Sequence, residues 1–344
     1  MAKLLITGGA GFIGSHTCLV LLEAGHNLVV LDNFSNSSPE ALRRVAELAQ
    51  VELGGQRLQL VVGDIRHQAA VHQAFDRAPI DGVIHFAGLK AVGESVSNPI
   101  RYWDVNLGGS LTLLNCMQMH GCSTVVFSST STVYGEPKTF PVVETDPTNP
   151  LHPYAQTKLA IEQVLEGLQT SNHQWKISCL RYFNPVGAHP SGLIGEDPTG
   201  IPNNLFPYVT QVAAGRRSLV RVFGNDYATP DGTGIRDYIH VMDLAEAHTK
   251  AIDHLLEHKA SLPPINLGTG HGISVLEVLD GFEAATGIHI PREFFPRRPG
   301  DVPKLEGSTR LAKELLNWSS RRNLSAMCRD GWTWQSKNPR GYRS

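Results

Sequence analysis

Lys3-Leu4-Leu5-Ile6-Thr7-Gly8-Gly9-Ala10-Gly11-Phe12-Ile13-Gly14 reads as a strand that runs through a glycine turn into a helix. Leu4 to Ile6 is continuously apolar, which suits a strand covered on both faces. Each of the glycines at 8, 11 and 14 has its own use. The first permits a tight turn, the second lets backbone approach a pyrophosphate, and the third lets helix and strand pack closely. The N–H groups at the start of the helix, around Phe12 and Ile13, then point at the phosphates. Apolar residues keep helical spacing to Glu23, Gly25 stops the helix, and Leu28-Val29-Val30-Leu31 forms a second strand ending on Asp32. Strand, helix and strand within about 30 residues make a βαβ unit.

The same alternation continues outward. Leu58–Val62, Gly82–Phe86, Thr124–Phe127, Ile177–Arg181 and Pro264–Gly268 read as further strands. Ser110–Met119, Tyr154–Leu168 and Met242–Leu256 read as helices between them. The pattern predicts an α/β protein built on a Rossmann-type doubly wound parallel sheet, with its ligand crevice at the carboxyl ends of the strands. From Pro185 to Gly234 the chain is rich in Gly, Pro, Asn and Asp, as ligand-facing loops are. A smaller α/β substrate-binding domain is therefore expected over 184–235 and 271–344. The dinucleotide-binding domain takes 1–183 plus about 236–270.

Of the residues, 41% are hydrophobic and 18% charged, and 30 basic residues face 32 acidic ones for a formal charge of −2. That balance gives no general attraction to nucleic acid or to an anionic membrane, so neither is expected as a partner. The five cysteines lack the close spacing of a zinc site or a redox dithiol; no metal is expected, and the thiols fit a reducing compartment. No run approaches the ~20 apolar residues of a membrane span. A leader pattern is missing from the first residues, so a cytoplasmic protein is expected.

Two constellations carry chemistry. Asp32 lies 18 residues after Gly14 and can accept both ribose hydroxyls of an adenosine while repelling a 2′-phosphate, which favours NAD over NADP. As a plain turn cap it would do neither. Asp64, ending the third strand, is a candidate acceptor for the adenine amino group or a loop-start carboxylate. Tyr154 and Lys158 are four residues apart and share a helix face. A free phenol has a pKa of about 10. A neighbouring ammonium, with a positive nicotinamide ring, would hold it as a base at neutral pH. Phe127-Ser128-Ser129-Thr130-Ser131-Thr132 places hydroxyls at a strand end, where one can share the substrate's hydrogen bond with Tyr154.

Thr7 to Gly14, the strand-end hydroxyl and Tyr154-x-x-x-Lys158 resemble the extended short-chain dehydrogenase/reductase family. Phe86–Ser95, Arg181–Gly192, Gly200–Leu205, Phe223–Tyr227 and Gly232–Leu244 resemble the UDP-galactose 4-epimerases within it, and the likeness runs from residue 3 to the Trp332–Trp334 region. The resemblance implies tightly held NAD, a UDP-hexose substrate, a 4-keto intermediate, and a homodimer joined by helices around 95–120 and 154–170. It assigns catalysis to Tyr154, Lys158 and Thr130, the last standing where the family usually has serine. To the cofactor it assigns Asp32, Asn33, Asp64, Ile65, Phe86, Ala87, Lys90, Asn106, Tyr154, Lys158 and Tyr182, beside Gly8, Gly11, Phe12, Ile13 and Gly14.

On the substrate side the resemblance implies Lys90, Thr130, Tyr154, Asn184, Asn203, Asn204, Leu205 and Phe223, with Arg236 and Arg298 as the phosphate-binding cations. Leu305 falls on the family's pocket-size position. Its intermediate bulk leaves room for the N-acetylhexosamine pair as a second substrate, and Glu306, Gly307 and Ser308 depart from the common pattern. Two other readings remain: a 4-epimerase or dehydratase of another nucleotide sugar, such as a uronate or pentose, and a non-catalytic NAD sensor. A dehydratase would need an acid–base pair after Thr130, where Ser131 and Thr132 stand instead. A sensor has no need of Tyr154, Lys158 and Thr130 together.

Overall fold

The structure is a computed structural model and describes residues 1–298 and 300–343. In chain order its strands are β1 (Lys3–Thr7), β2 (Asn27–Asp32), β3 (Leu58–Val62), β4 (Gly82–His85), β5 (Thr124–Thr130), β6 (Lys176–Tyr182), β7 (Asn184–Val186), β8 (Val220–Phe223), β9 (Ile235–His240), β10 (Ile265–Leu267), β11 (Gly272–Ser274), β12 (Arg292–Phe295) and β13 (Lys304–Leu305). The helices are α1 (Phe12–Glu23), α2 (Pro39–Leu48), α3 (Gln68–Phe75), α4 (Val92–Ser97), α5 (Pro99–Tyr102), α6 (Gly109–Met119), α7 (Pro153–Ser171), α8 (Leu205–Ala213), α9 (Val241–His258), α10 (Val275–Thr286), α11 (Arg310–Leu316) and α12 (Leu324–Lys337).

Seven strands form one parallel sheet in the order β10-β6-β5-β4-β1-β2-β3. The order reverses between β1 and β4, so the crevice opens where β1 and β4 end. Both faces are covered by apolar cores. One is built on Leu4, Ile6, Val30 and Ile84, the other on Leu5, Val29, Val83 and Val125. Alternate residues of the same strands supply the two cores, which is why these strands read as unbroken apolar runs.

The remaining strands form a four-stranded sheet, in which β9 pairs with β7, β11 and β13, and a two-stranded pair, β8 with β12. Here the structure departs from the sequence reading. β9 opens the 236–270 stretch assigned to the dinucleotide-binding part, yet it hydrogen-bonds wholly within the smaller sheet. α9 and β10 do rejoin the large sheet, β10 as its edge strand beside β6. A third core, including Phe206, Val222, Leu279, Phe282 and Met327, packs α8, α10 and α12 against the smaller sheets.

Candidate active site

The main cavity, of about 410 Å³, runs along the carboxyl ends of the large sheet. Its size is that of a ligand pocket, typically about 300–1,000 Å³. One end is the glycine turn. Gly8 has φ +70°, and a Cβ there would stand 2.7 Å from the Ala87 nitrogen; at Gly14 it would stand 2.3 Å from the Gly8 carbonyl oxygen. Gly11 caps α1 without a side chain, leaving the first-turn amides of Phe12, Ile13 and Gly14 against the cavity. Backbone that admits no side chain, joined to the positive end of a helix, fits a pyrophosphate.

Asp32 lines the same cavity and is prepared for its task. It accepts the Ala10 amide (2.9 Å), the Phe34 amide (2.9 Å) and the Ser37 hydroxyl (2.7 Å). A carboxylate offers about four lone-pair sites, so acceptor capacity is left for a ribose hydroxyl. Asn33 donates to Asp64 at 2.9 Å, and Arg66 grips Asp64 through its amide and guanidinium. Those bonds hold the Asp64 carboxyl below the usual carboxylate range. Asp64, Ile65, Phe86, Ala87 and Tyr182 also face the cavity, so this end has the donor and acceptor set of a dinucleotide site.

α7 carries the reacting residues. His152 accepts the Ala155 amide at its N-terminus, and Pro153 starts the helix with φ already set. Tyr154 and Lys158 both line the cavity, Tyr154 half-buried and Lys158 buried. Lys158 Nζ donates to the Ser128 carbonyl (2.7 Å) and hydroxyl (3.2 Å) on β5. Thr130, buried at the end of β5, stands beside the Tyr154 phenol and shares a hydrogen bond with the Thr132 hydroxyl at 2.9 Å.

The electrostatics show what the chain supplies on its own. Burial pushes the Tyr154 phenol up to about 12, against the pull of the Thr130 hydroxyl, and pushes Lys158 down to about 7, against the charge of Glu162. The chain's own residues do not by themselves lower the phenol; the expected lowering also invoked a positive nicotinamide ring. The ammonium is spent on Ser128, and both groups are desolvated.

The structure places the other predicted residues unevenly. Lys90 reaches across the cavity to Glu196 at 2.9 Å, and Asn203 and Asn204 line it beside them. Asn106 does not face the cavity. It is buried in a π-helical turn, Trp103–Gly108, where its amide holds both backbone groups of Leu89 (2.7 and 3.1 Å) and the Thr157 hydroxyl (3.0 Å). It therefore clamps the loop after β4 to α7. Arg298 stacks 3.9 Å from the Phe223 ring centroid and leans towards the Asn203 carbonyl. Arg236 is 3.7 Å from Asp301, and Leu305, its register partner in β13, is buried against Val133, Phe183 and Val302. Asn184 pairs with Tyr238 in the smaller sheet, and Leu205 begins α8.

Sequence reasoning passed over several residues. Glu162 extends the Tyr154–Lys158 row by one more helical step and ion-pairs with Arg181 at 2.7 Å, both buried. The further i+4 spacing was its available signal. His248 accepts the Tyr182 hydroxyl, because its Nδ1 already donates to the Leu244 carbonyl at 2.7 Å. Burial holds it neutral, its pKa lowered to about 4. Glu196 and Tyr342 line the cavity from segments with no motif.

The chain resembles known proteins along its whole length. Residues 5–331 match the family described as GDP-mannose 4,6 dehydratase. UDP-glucose 4-epimerase 2 of Arabidopsis thaliana is 53% identical over 345 residues, covering 100% of this chain and 98% of that one. The UDP-glucose 4-epimerase of Bacillus subtilis is 52% identical, with 99% of each chain covered. Among solved structures, UDP-glucose-4-epimerase of Stenotrophomonas maltophila, with bound NAD and formylated UDP-arabinopyranose, superposes with a TM-score of 0.95 at 45% identity, covering 99% of each chain. That of Bifidobacterium longum, in complex with NAD+ and UDP, gives 0.94 at 48% identity, covering 98% of this chain and 99% of that one. With a glycine-turn cavity, a Tyr–Lys row facing it and relatives this similar end to end, the chain belongs to the UDP-glucose 4-epimerases of the GDP-mannose 4,6 dehydratase family.

Proposed function

We propose that this protein interconverts UDP-galactose and UDP-glucose, with NAD seated in the main cavity and the hexose over Tyr154. The observation that carries this reading is the shared cavity: Tyr154 and Lys158 face the same space that the glycine turn and Asp32 close at the other end. Tyr154 takes the proton from the hexose O4, and Thr130 steadies that oxygen and the phenol together. Lys158 supplies positive charge from the floor, with Glu162 behind it. NAD, when bound, would supply the reversible hydride chemistry at C4, and its positive ring would offset the burial cost of a phenolate. Asn203, Asn204, Arg236, Arg298 and Phe223 support the reading of a UDP end, the arginines as bidentate phosphate partners. On this view 1–183 with 236–270 serves the dinucleotide and 184–235 with 271–344 the UDP-sugar, β9 siding with the latter.

The test is incubation with UDP-galactose and no added NAD. UDP-glucose is the expected product, and UDP-N-acetylgalactosamine should also turn over, because Leu305 is smaller than an aromatic. Failure with the N-acetylated sugar alone removes the broader specificity. A protein that carries NAD and leaves UDP-galactose unchanged removes the whole reading.

A homodimer is supported by the exposed apolar side chains of Val96, Ile100, Trp103 and Leu111, along the helices from 92 to 119. Gel filtration at micromolar concentration should show a dimer, and a monomer alone would exclude it. No helix among the described residues is long and apolar enough to cross a membrane. All five cysteines are free and buried, which supports a cytoplasmic setting.

A further inference from the structure

Residues 191–199 form a strap along the main cavity, which Gly195, Glu196, Asp197, Pro198 and Thr199 line. One side of the strap is tied to the dinucleotide end: the Thr199 amide donates to Asn36 Oδ1 at 3.2 Å, on the loop that also carries Ser37 to Asp32. Glu196 is tied to Lys90 across the cavity.

The outer side is held by the C-terminus. Tyr342 Oη accepts the Gly195 amide (3.1 Å) and donates to the Gly195 carbonyl (3.3 Å), and the Tyr342 amide donates to Asp197 (2.9 Å). Trp334 Nε1 donates to the Glu196 carbonyl at 3.2 Å, and Asn338 Nδ2 donates to the Gly192 carbonyl at 2.9 Å. Arg44, on α2, joins the two: it donates to the Leu193 carbonyl (2.9 Å) and to Asn338 Oδ1 (2.6 Å). Its guanidinium lies 5.7 and 5.3 Å from the Trp334 and Tyr342 ring centroids. The approach is close enough to need glycine on both sides. A Cβ on Gly195 would stand 2.3 Å from the Trp334 ring, and one on Gly341 2.1 Å from the Asp197 carboxylate.

We infer that the segment 334–342, together with Arg44, clasps this strap and so sets the rate at which NAD leaves the protein. The inference rests on the NAD reading above. Arg44 does not line the cavity, so it acts as a positioning residue. A cofactor regenerated in each turnover has no reason to exchange, and a strap tied at both edges makes exit depend on several bonds breaking together.

Purified protein carrying NAD is diluted into an excess of an NAD-hydrolysing enzyme, and the NAD still bound is measured over time. Tyr342→Phe removes one oxygen and strands both backbone groups of Gly195, so release should quicken about tenfold. Arg44→Met should also release faster, while its kcat at saturating NAD stays within about twofold of wild type, separating retention from turnover. Release at the wild-type rate in both variants overturns the clasp. So does an Arg44→Met protein that loses kcat at saturating NAD with unchanged release. A wild-type protein that carries no NAD would sink the cofactor reading itself, and the clasp with it.

Discussion

Tyr154→Phe is expected to fold, to keep its NAD, and to epimerise UDP-galactose about a thousandfold more slowly, the middle of the range for a positioned acid–base group. That loss corresponds to about 4 kcal/mol of barrier. The side chain is half-buried and gives up only its oxygen, so the surroundings of α7 have no cavity to absorb. What disappears is the phenol oxygen beside Thr130, the group that can receive the O4 proton. Bound NAD, read by absorbance after gel filtration, should match wild type, and kcat should carry the loss. Near-normal turnover would move the base elsewhere. A sensor built on this fold would be indifferent to the change.

Arg181→Met is expected to cost about 3–5 kcal/mol of stability, because it leaves a carboxylate buried without its cation. Glu162 and Arg181 are 7% and 6% exposed as side chains, joined at 2.7 and 3.1 Å, with the Ser129 hydroxyl on the same carboxylate. Arg181 also donates to Tyr134 Oη (2.9 Å), which donates in turn to Asn266 (2.7 Å), binding β6, the segment after β5 and β10 into one network. The thermal midpoint of the single variant should fall sharply, and removing both charges, as Arg181→Met with Glu162→Met, should recover much of it. If the single variant melts like wild type, the pair contributes nothing. Glu162 also faces Lys158, so the single variant probes support of the active site as well as of the core.

The dinucleotide end and the Tyr–Lys row were legible in the chain because each is local. A strand, three glycines and a helix start lie within twelve residues, Lys3 to Gly14, and the reacting pair within five, Tyr154 to Lys158. Backbone conformation and helical spacing decide both before any distant residue is considered. The seven parallel strands were legible for a related reason, since a strand buried on both faces must be apolar throughout. Where the reading slipped, the partner was remote. β9 looks like any short mixed strand, and nothing in Ile235 to His240 says that it will pair with 184–186, 272–274 and 304–305. Asn106 has the composition of a surface residue and becomes a buried clamp only because Leu89 and Thr157 arrive beside it.

The sequence by itself therefore determined the large sheet, the glycine turn, the acceptor at Asp32 and the Tyr154–Lys158 face, all set by φ/ψ preference and periodicity over a few residues. Only the tertiary structure decided what those groups meet: Lys158 on Ser128 with a desolvated phenol beside it, Arg181 on Glu162, Arg298 on Phe223, and the C-terminal tail on the strap along the cavity. Burial, charge pairing and close backbone approach depend on chain segments up to 294 residues apart, as Arg44 and Asn338 are, and local propensity carries no record of them.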